Sequence, residues 1–199
     1  MREDNRLIFR RGVVADEWFE RNDTVPMTKA PVRSMVVSLL SPLEGASVLE
    51  IGSGTGAMCV DLARAVGSEG HVASIEVSPL ALDITRKNLN RADLAERVEL
   101  IAGKAPGHIP KELFQAVFIG GHGEALEVII GECLDRLDNG GRIVVTAITP
   151  RTTSRTLSCM EGLGIDVGFW RVHSSAGRRT ASDWLLQGNN PIDVIWGDK

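Results

Sequence analysis

The 199-residue chain predicts a doubly wound α/β domain. Three observations lead there. Short, β-branched apolar runs alternate with longer segments whose apolar residues recur at helical spacing. Glycines collect at the ends of those runs, at Gly52, Gly54 and Gly56, at Gly103, and at Gly120 and Gly121. No internal repeat or long linker interrupts the alternation, so a single domain over 25–199 is expected behind an irregular arm over 1–24.

The arm is polar, with Trp18 and Phe19 as its strong anchors, and is expected to lie on the domain or on a partner subunit. A helix follows, with Thr28 as its N-cap and Pro31 in its first turn. Its apolar stripe is Val32, Met35, Val36, Leu39 and Leu40. Ser47 to Ile51 reads as a buried parallel strand, and 57–66 as the helix after it. His71 to Val77 is a second strand, ending in an acid. Ser78 and Pro79 open a helix that runs to about Arg91. Strands are expected over 97–103 and 114–121. Glu124 to Leu137 is a helix with Leu126, Ile129, Ile130, Cys133, Leu134 and Leu137 on one side, closed by Asn139, Gly140 and Gly141. A strand over 142–149 and a helix over about 151–162 follow. The runs IDVGFWRV and PIDVIWG, separated by a basic loop, are expected to pair as an edge hairpin.

Composition narrows the function. Hydrophobic content of 43% and charged content of 24% are those of an ordinary globular domain. A net charge of −4 argues against a dedicated nucleic-acid binder. No apolar run approaches the roughly 20 residues of a membrane span, and the charged N-terminus is no signal peptide. The three cysteines, Cys59, Cys133 and Cys159, have neither metal-ligand spacing nor an even count. A cytoplasmic protein without a metal site is expected.

The chemistry is concentrated at the carboxyl ends of the strands, where open parallel sheets bind ligands. The stretch VLEIGSGTG places three glycines between a strand and a helix N-terminus, so backbone can approach a ligand closely. Glu50 precedes the loop, and Glu76 closes the second strand 20 residues after Gly56. A carboxylate there can accept hydrogen bonds from both hydroxyls of a ribose. Gly103, Lys104 and Ala105 end the third strand, and Gly120, Gly121 and His122 the fourth. This set points to a nucleoside cofactor.

The pattern E-x-G-x-G-x-G with an acid after the next strand resembles the class I S-adenosylmethionine-dependent methyltransferases. VPMTKAPVR at 25–33, GGHGEALEVI at 120–129, GGRIVVTAI at 140–148 and NPIDVIWG at 190–197 resemble, more narrowly, the decarboxylating precorrin methyltransferases of cobalamin biosynthesis. Those enzymes methylate carbon 15 of precorrin-6B or its cobalt form and remove carbon dioxide from the ring C acetate. The matches run in order from about residue 12 to residue 197. The resemblance implies a Rossmann-like sheet of seven strands with the last antiparallel, S-adenosylmethionine as cofactor, and a homo-oligomer, a tetramer in this family. The same domain also occurs fused behind a second precorrin methyltransferase domain.

The cofactor set implied is Glu50, Gly52, Ser53, Gly54, Thr55, Gly56, Glu76, Val77, Gly103, Lys104, Ala105, Gly120 and Gly121, with Thr28 beside it. Lys104 stands where the family often has an acid, so backbone of Lys104 and Ala105 is expected to meet the adenine. Pro31 replaces a common glutamate. A polycarboxylate tetrapyrrole calls for cations, and Lys29, Arg33, Arg151, Arg155, Arg178 and Arg179 are the candidates, the last two in a lid-like loop. His122 is the candidate catalytic group, as hydrogen-bond partner or acid, with capping of the next helix as its plain alternative. His71, His108 and His173 show no partner pattern. Trp170, Trp184 and Trp196 suit either a pocket for a flat macrocycle or packing. Two other functions share these features: an RNA methyltransferase, which would need a basic face, and a non-catalytic nucleoside-binding subunit.

Overall fold

The computed structural model describes residues 12–199; the earlier part of the expected arm lies outside the described residues. Seven strands form one sheet in the order β3-β2-β1-β4-β5-β9-β6. These are β1 (Ser47–Ile51), β2 (His71–Glu76), β3 (Val98–Ala102), β4 (Phe114–Ile119), β5 (Leu137–Ala147), β6 (Val167–Val172) and β9 (Ile192–Asp198). A separate two-stranded hairpin joins β7 (Ser175–Arg179) to β8 (Trp184–Gly188). The helices are α1 (Ala30–Leu40), α2 (Ala57–Ala65), α3 (Pro79–Ala92), α4 (Leu126–Arg136) and α5 (Pro150–Gly162).

Alternate strand residues feed two cores. Val48, Val72, Phe118, Val144 and Val194 pack with α1, α2 and α3 on one face. Leu49, Ile75, Val117, Ile143 and Ile195 pack with α4 and α5 on the other. Continuous apolar runs in β1, β2 and β4 are explained by burial on both faces. The seven-stranded sheet is as expected, with β9 antiparallel to both β5 and β6. From β1 the chain turns one way to β2 and β3 and later the other way to β4, so a crevice opens at the β1–β4 boundary.

Four expectations are corrected. Thr28 does not cap α1. The cap residue is Lys29, whose side chain makes no cap bond, and the free Ala30 N–H at the helix start donates instead to Asp16 Oδ1 at 2.9 Å. A distant carboxylate has replaced the local hydroxyl, while the Thr28 carbonyl accepts from Arg33 Nε at 2.8 Å. The Asn139-Gly140-Gly141 stretch is not a helix cap either. α4 ends at Arg136, and β5 begins at once, with a register break between Phe114↔Leu137 and Ala116↔Arg142. Gly140, at φ +80°, allows that irregularity. The run 191–197 pairs with 165–172 as expected, but it is interior to the sheet and only β6 is the edge. Finally, the loop expected to hold Arg178 and Arg179 is the β7–β8 hairpin, closed by Thr180 N–H donating to Asp183 O at 2.8 Å.

The described part of the arm is fastened to the helices. Val14 N–H donates to Asp61 Oδ1 at 2.9 Å, and Asn88 Nδ2 donates to Glu20 O at 2.8 Å. Phe19 is buried and stacks edge-on to Trp18, which in turn lies under the Arg91 guanidinium.

Candidate cofactor and acceptor site

Two adjoining cavities occupy the crevice. The larger, about 270 Å³, is lined by the glycine loop, Glu76, Ser78, Gly120 and Gly121 and is roofed by Thr24, Val25, Pro26 and Thr28. The smaller, about 210 Å³, is lined by Val77, Gly103, Lys104, Ala105, His122 and Ile129. Gly52, Glu76 and Gly121 line both.

Gly52 is required by geometry. At φ +87°, its Cβ would lie 2.8 Å from Gly121 N. The ends of β1 and β4 touch here through backbone alone. Gly54, at φ +55°, faces the Pro26 carbonyl, which accepts from Thr55 N–H at 3.2 Å. The loop is also stitched to α3. Ser53 Oγ and Thr85 Oγ1 lie 2.9 Å apart, Thr85 Oγ1 donates to Gly54 O at 3.1 Å, and Asn88 Nδ2 donates to Thr55 O at 2.8 Å. Thr85 and Asn88 were missed in the sequence. Their signal was there: two polar residues three apart on the buried face of an otherwise apolar helix stripe.

Glu76 reaches back across the crevice. Its Oε2 accepts from Gly54 N–H at 3.0 Å, and Oε1 accepts from Val77 and Ser78 N–H, both at 2.8 Å. Three backbone donors hold the carboxylate rigidly at the shared wall of the two cavities. Gly56 caps α2 at φ +76° against Thr85, behind the loop. Glu50 lies deeper. It is wholly buried, takes the Ser74 hydroxyl at 2.6 Å on Oε2, and has no partner on Oε1. Burial pushes its carboxyl up to about 7, with Ser74 and Cys59 opposing. It supports the loop from beneath and lines neither cavity.

His122 faces the smaller cavity. Its Nδ1 lies 2.7 Å from the Gly123 carbonyl, which fixes that nitrogen as a donor and leaves Nε2 free. The candidate cations scatter. Arg33 is withdrawn from any substrate: it is 0% exposed, paired with Asp16 and Asp61, and also donates to Val14 O. Arg155 is engaged by Glu127, with two contacts of 2.6 Å. Arg151 is exposed at the start of α5, Arg178 and Arg179 are exposed on β7, and Lys29 is half-buried before α1. Trp196 packs against the core and under Trp170, with ring centroids 4.6 Å apart, whereas Trp184 is exposed on β8.

Among the described residues, one grouping outside the crevice has metal-ligand atoms close together: His71, Glu99 and Glu112, at the opposite end of β2 from Glu76. His71 Nε2 stands 3.3 Å from Glu112 Oε1; His71 is half-buried and the two glutamates are exposed.

A family model described as a precorrin methyltransferase domain matches residues 17–185. The chain belongs to the precorrin methyltransferase family. A relative from Saccharolobus solfataricus, named Probable cobalt-precorrin-6B C(15)-methyltransferase (decarboxylating), is 34% identical over 94% of this chain and 95% of its own length. Among solved structures, a precorrin 8W decarboxylase from Methanobacterium thermoautotrophicum is 30% identical with a TM-score of 0.86, over 94% of this chain and 100% of that one. A precorrin-6y C5,15-methyltransferase from Geobacter metallireducens is 26% identical with a TM-score of 0.88, over 95% and 98%. Members of the precorrin methyltransferase family thus share both the sheet and its full extent with this chain. It is a methyltransferase of class I architecture.

Proposed function

We propose that this chain methylates carbon 15 of precorrin-6B or its cobalt form, using S-adenosylmethionine, and removes the carboxyl group of the ring C acetate as carbon dioxide, leaving a methyl on the ring. The observation that carries the reading is the Glu76 carboxylate, held by three backbone N–H groups opposite a glycine loop in a crevice of two joined cavities. The residues fit the cofactor: the backbone of the glycine loop and the Glu76 carboxylate together line an open cavity of about 270 Å³. S-adenosylmethionine, when bound, supplies an electrophilic methyl on a sulfonium.

The chain's own residues then hold, orient and exclude water. Glu76 accepts from a ribose hydroxyl at the lone pair left on Oε2. Gly52, Ser53, Gly54 and Thr55 present backbone at the N-terminus of α2. Val77, Gly103, Lys104 and Ala105 wall the adenine side, and Thr28 with Pro26 forms a roof over the other. Glu50 and Gly56 shape the loop from behind. Gly120 and Gly121 leave the β4 end open to the acceptor. His122 holds or takes a proton at Nε2, since Nδ1 is committed to Gly123. Lys29, Arg151, Arg178 and Arg179 meet acceptor carboxylates. Alignment of the reacting atoms and a dry crevice supply most of the rate.

The functional unit is a homo-oligomer, proposed as a tetramer in the cytoplasm. Every residue of β7 and β8 is exposed, and Trp184, Leu185 and Leu186 are 61%, 52% and 76% exposed. A two-stranded hairpin bearing such residues is marginal alone and gains stability by packing on another copy.

The test is mass spectrometry of precorrin-6B, with and without cobalt, after incubation with protein and S-adenosylmethionine. A product with one methyl gained and one carbon dioxide lost is expected. Cofactor binding with unchanged acceptor mass overturns the assignment.

A further inference from the structure

A third cavity opens at the same end of the sheet, beyond the crevice. It is about 170 Å³ and is lined by Ile148, Thr149, Arg171, Pro191 and Asp193. Its polar wall is built across two strands. Arg171 on β6 and Asp193 on β9 are direct register partners. Arg171 Nε donates to Asp193 Oδ1 at 2.7 Å, and Nη2 donates to Oδ2 at 2.9 Å. Thr153 Oγ1, on α5, donates to the same carboxylate at 2.6 Å.

The exposure of this pair is lopsided. The Asp193 side chain is 5% exposed and that of Arg171 50%. A buried, doubly fixed acid thus holds a half-exposed guanidinium in one orientation. Arg171 spends only its Nε–Nη2 edge on Asp193. The hydrogens on Nη1 have no partner among the described residues, and they form with Nη2 a second fork suited to a carboxylate. Ile148, 75% exposed, adds an apolar ledge beside it.

Placement gives this fork a ligand. β5, β9 and β6 are the first, second and third strands beyond β4 in the sheet, and Arg171 stands on the third. At about 4.8 Å per strand, the fork stands on the order of 15 Å from the glycines that end β4. An acceptor reacting there must be broad, with anionic groups at its rim.

We propose that Arg171, oriented by Asp193, binds a peripheral carboxylate of the acceptor and sets its position relative to the crevice. This rests on the tetrapyrrole reading above. Because the arginine is pre-oriented, less rotamer freedom is lost on binding than at a free surface cation.

The experiment compares the unaltered protein with Arg171→Lys and with the double variant Arg171→Met/Asp193→Asn. The double variant removes the charge pair as a unit and leaves Thr153 an acceptor. Dissociation constants are measured for cobyrinic acid, a corrinoid with free carboxylates, for cobinamide, its amide counterpart, and for S-adenosylhomocysteine. The double variant is expected to weaken cobyrinic acid at least tenfold and to leave the other two unchanged, with Arg171→Lys in between. Equal loss for acid and amide, or no loss for the acid, overturns the proposal. Methyl transfer to precorrin-6B by the unaltered protein reads the parent function separately. Carboxylate-selective binding without transfer overturns the reaction and keeps the anchor. Transfer without preference for the acid overturns the anchor and keeps the reaction.

Discussion

The Arg33 guanidinium and the Asp61 carboxylate pair inside the protein, where α1 meets α2, with side chains 0% and 2% exposed. Arg33 also binds Asp16 and the Val14 and Thr28 carbonyls, and lies over the Phe19 ring. One side chain thus fastens the arm, α1 and α2 together. Burial raises the Asp61 carboxyl and the Arg33 charge opposes that rise. Arg33→Met strands the acid, and the expected loss is about 3–5 kcal/mol. Arg33→Lys is expected to lose nearly as much, because an ammonium cannot span four acceptors. Urea denaturation measures both.

Glu50 predicts a pH effect of definite sign. Its folded value of about 7 lies above the ordinary 4.5. The folded chain therefore holds this proton more tightly than the unfolded chain. Below about pH 4.5 both states are protonated and nothing is lost. Stability falls as pH rises from 4.5 to 7, then levels, with a total on the order of 3 kcal/mol. Glu50→Gln is expected to flatten that slope and to be the more stable protein at pH 8. Thermal unfolding from pH 4 to 8 is the check.

Glu76→Ala removes the acceptor shared by Gly54, Val77 and Ser78. Loss of a charge-assisted bond from the ribose, worth about 1.5–3 kcal/mol, corresponds to a roughly 10- to 100-fold weaker cofactor. Calorimetric titration with S-adenosylhomocysteine measures this. An unchanged constant removes Glu76 from the site.

Gly52→Ala introduces a Cβ at φ +87°, 2.8 Å from Gly121 N. The strained backbone alone costs about 1–2 kcal/mol, and the β4 end must also move. The melting temperature is expected to drop, with cofactor affinity falling in the same variant.

Leu186→Lys places a charge on the most exposed apolar residue of β8. Light scattering is expected to show a smaller assembly than for the unaltered chain. An unchanged mass in solution excludes this hairpin from the subunit contact.

What could be read from the residues was local. The glycine loop with Glu76 after it, and the Ser78 cap confirmed by Ala81 N–H at 3.3 Å, depend on neighbours in sequence. What escaped depended on partners far along the chain. Arg33 looked like a free cation because Asp16 and Asp61 lie 17 and 28 positions away. Its own position did carry a hint, between Val32 and Val36 on the buried stripe of α1. The β7–β8 hairpin was illegible because neither strand alternates against a core; Trp184, Leu185 and Leu186 run consecutively. Arg171 was passed over because its orienting acid arrives on a later strand.

The interior position of β9 also bears on how the protein is made. On a ribosome, β5 and β6 emerge first, and both must wait for a strand that is translated after the β7–β8 hairpin. Until β9 has left the ribosome, the nascent chain carries two unpaired strand edges, one of them fully apolar at Ile143 to Val145. Any delay before β9 is free to pair therefore exposes the chain to aggregation or chaperone capture.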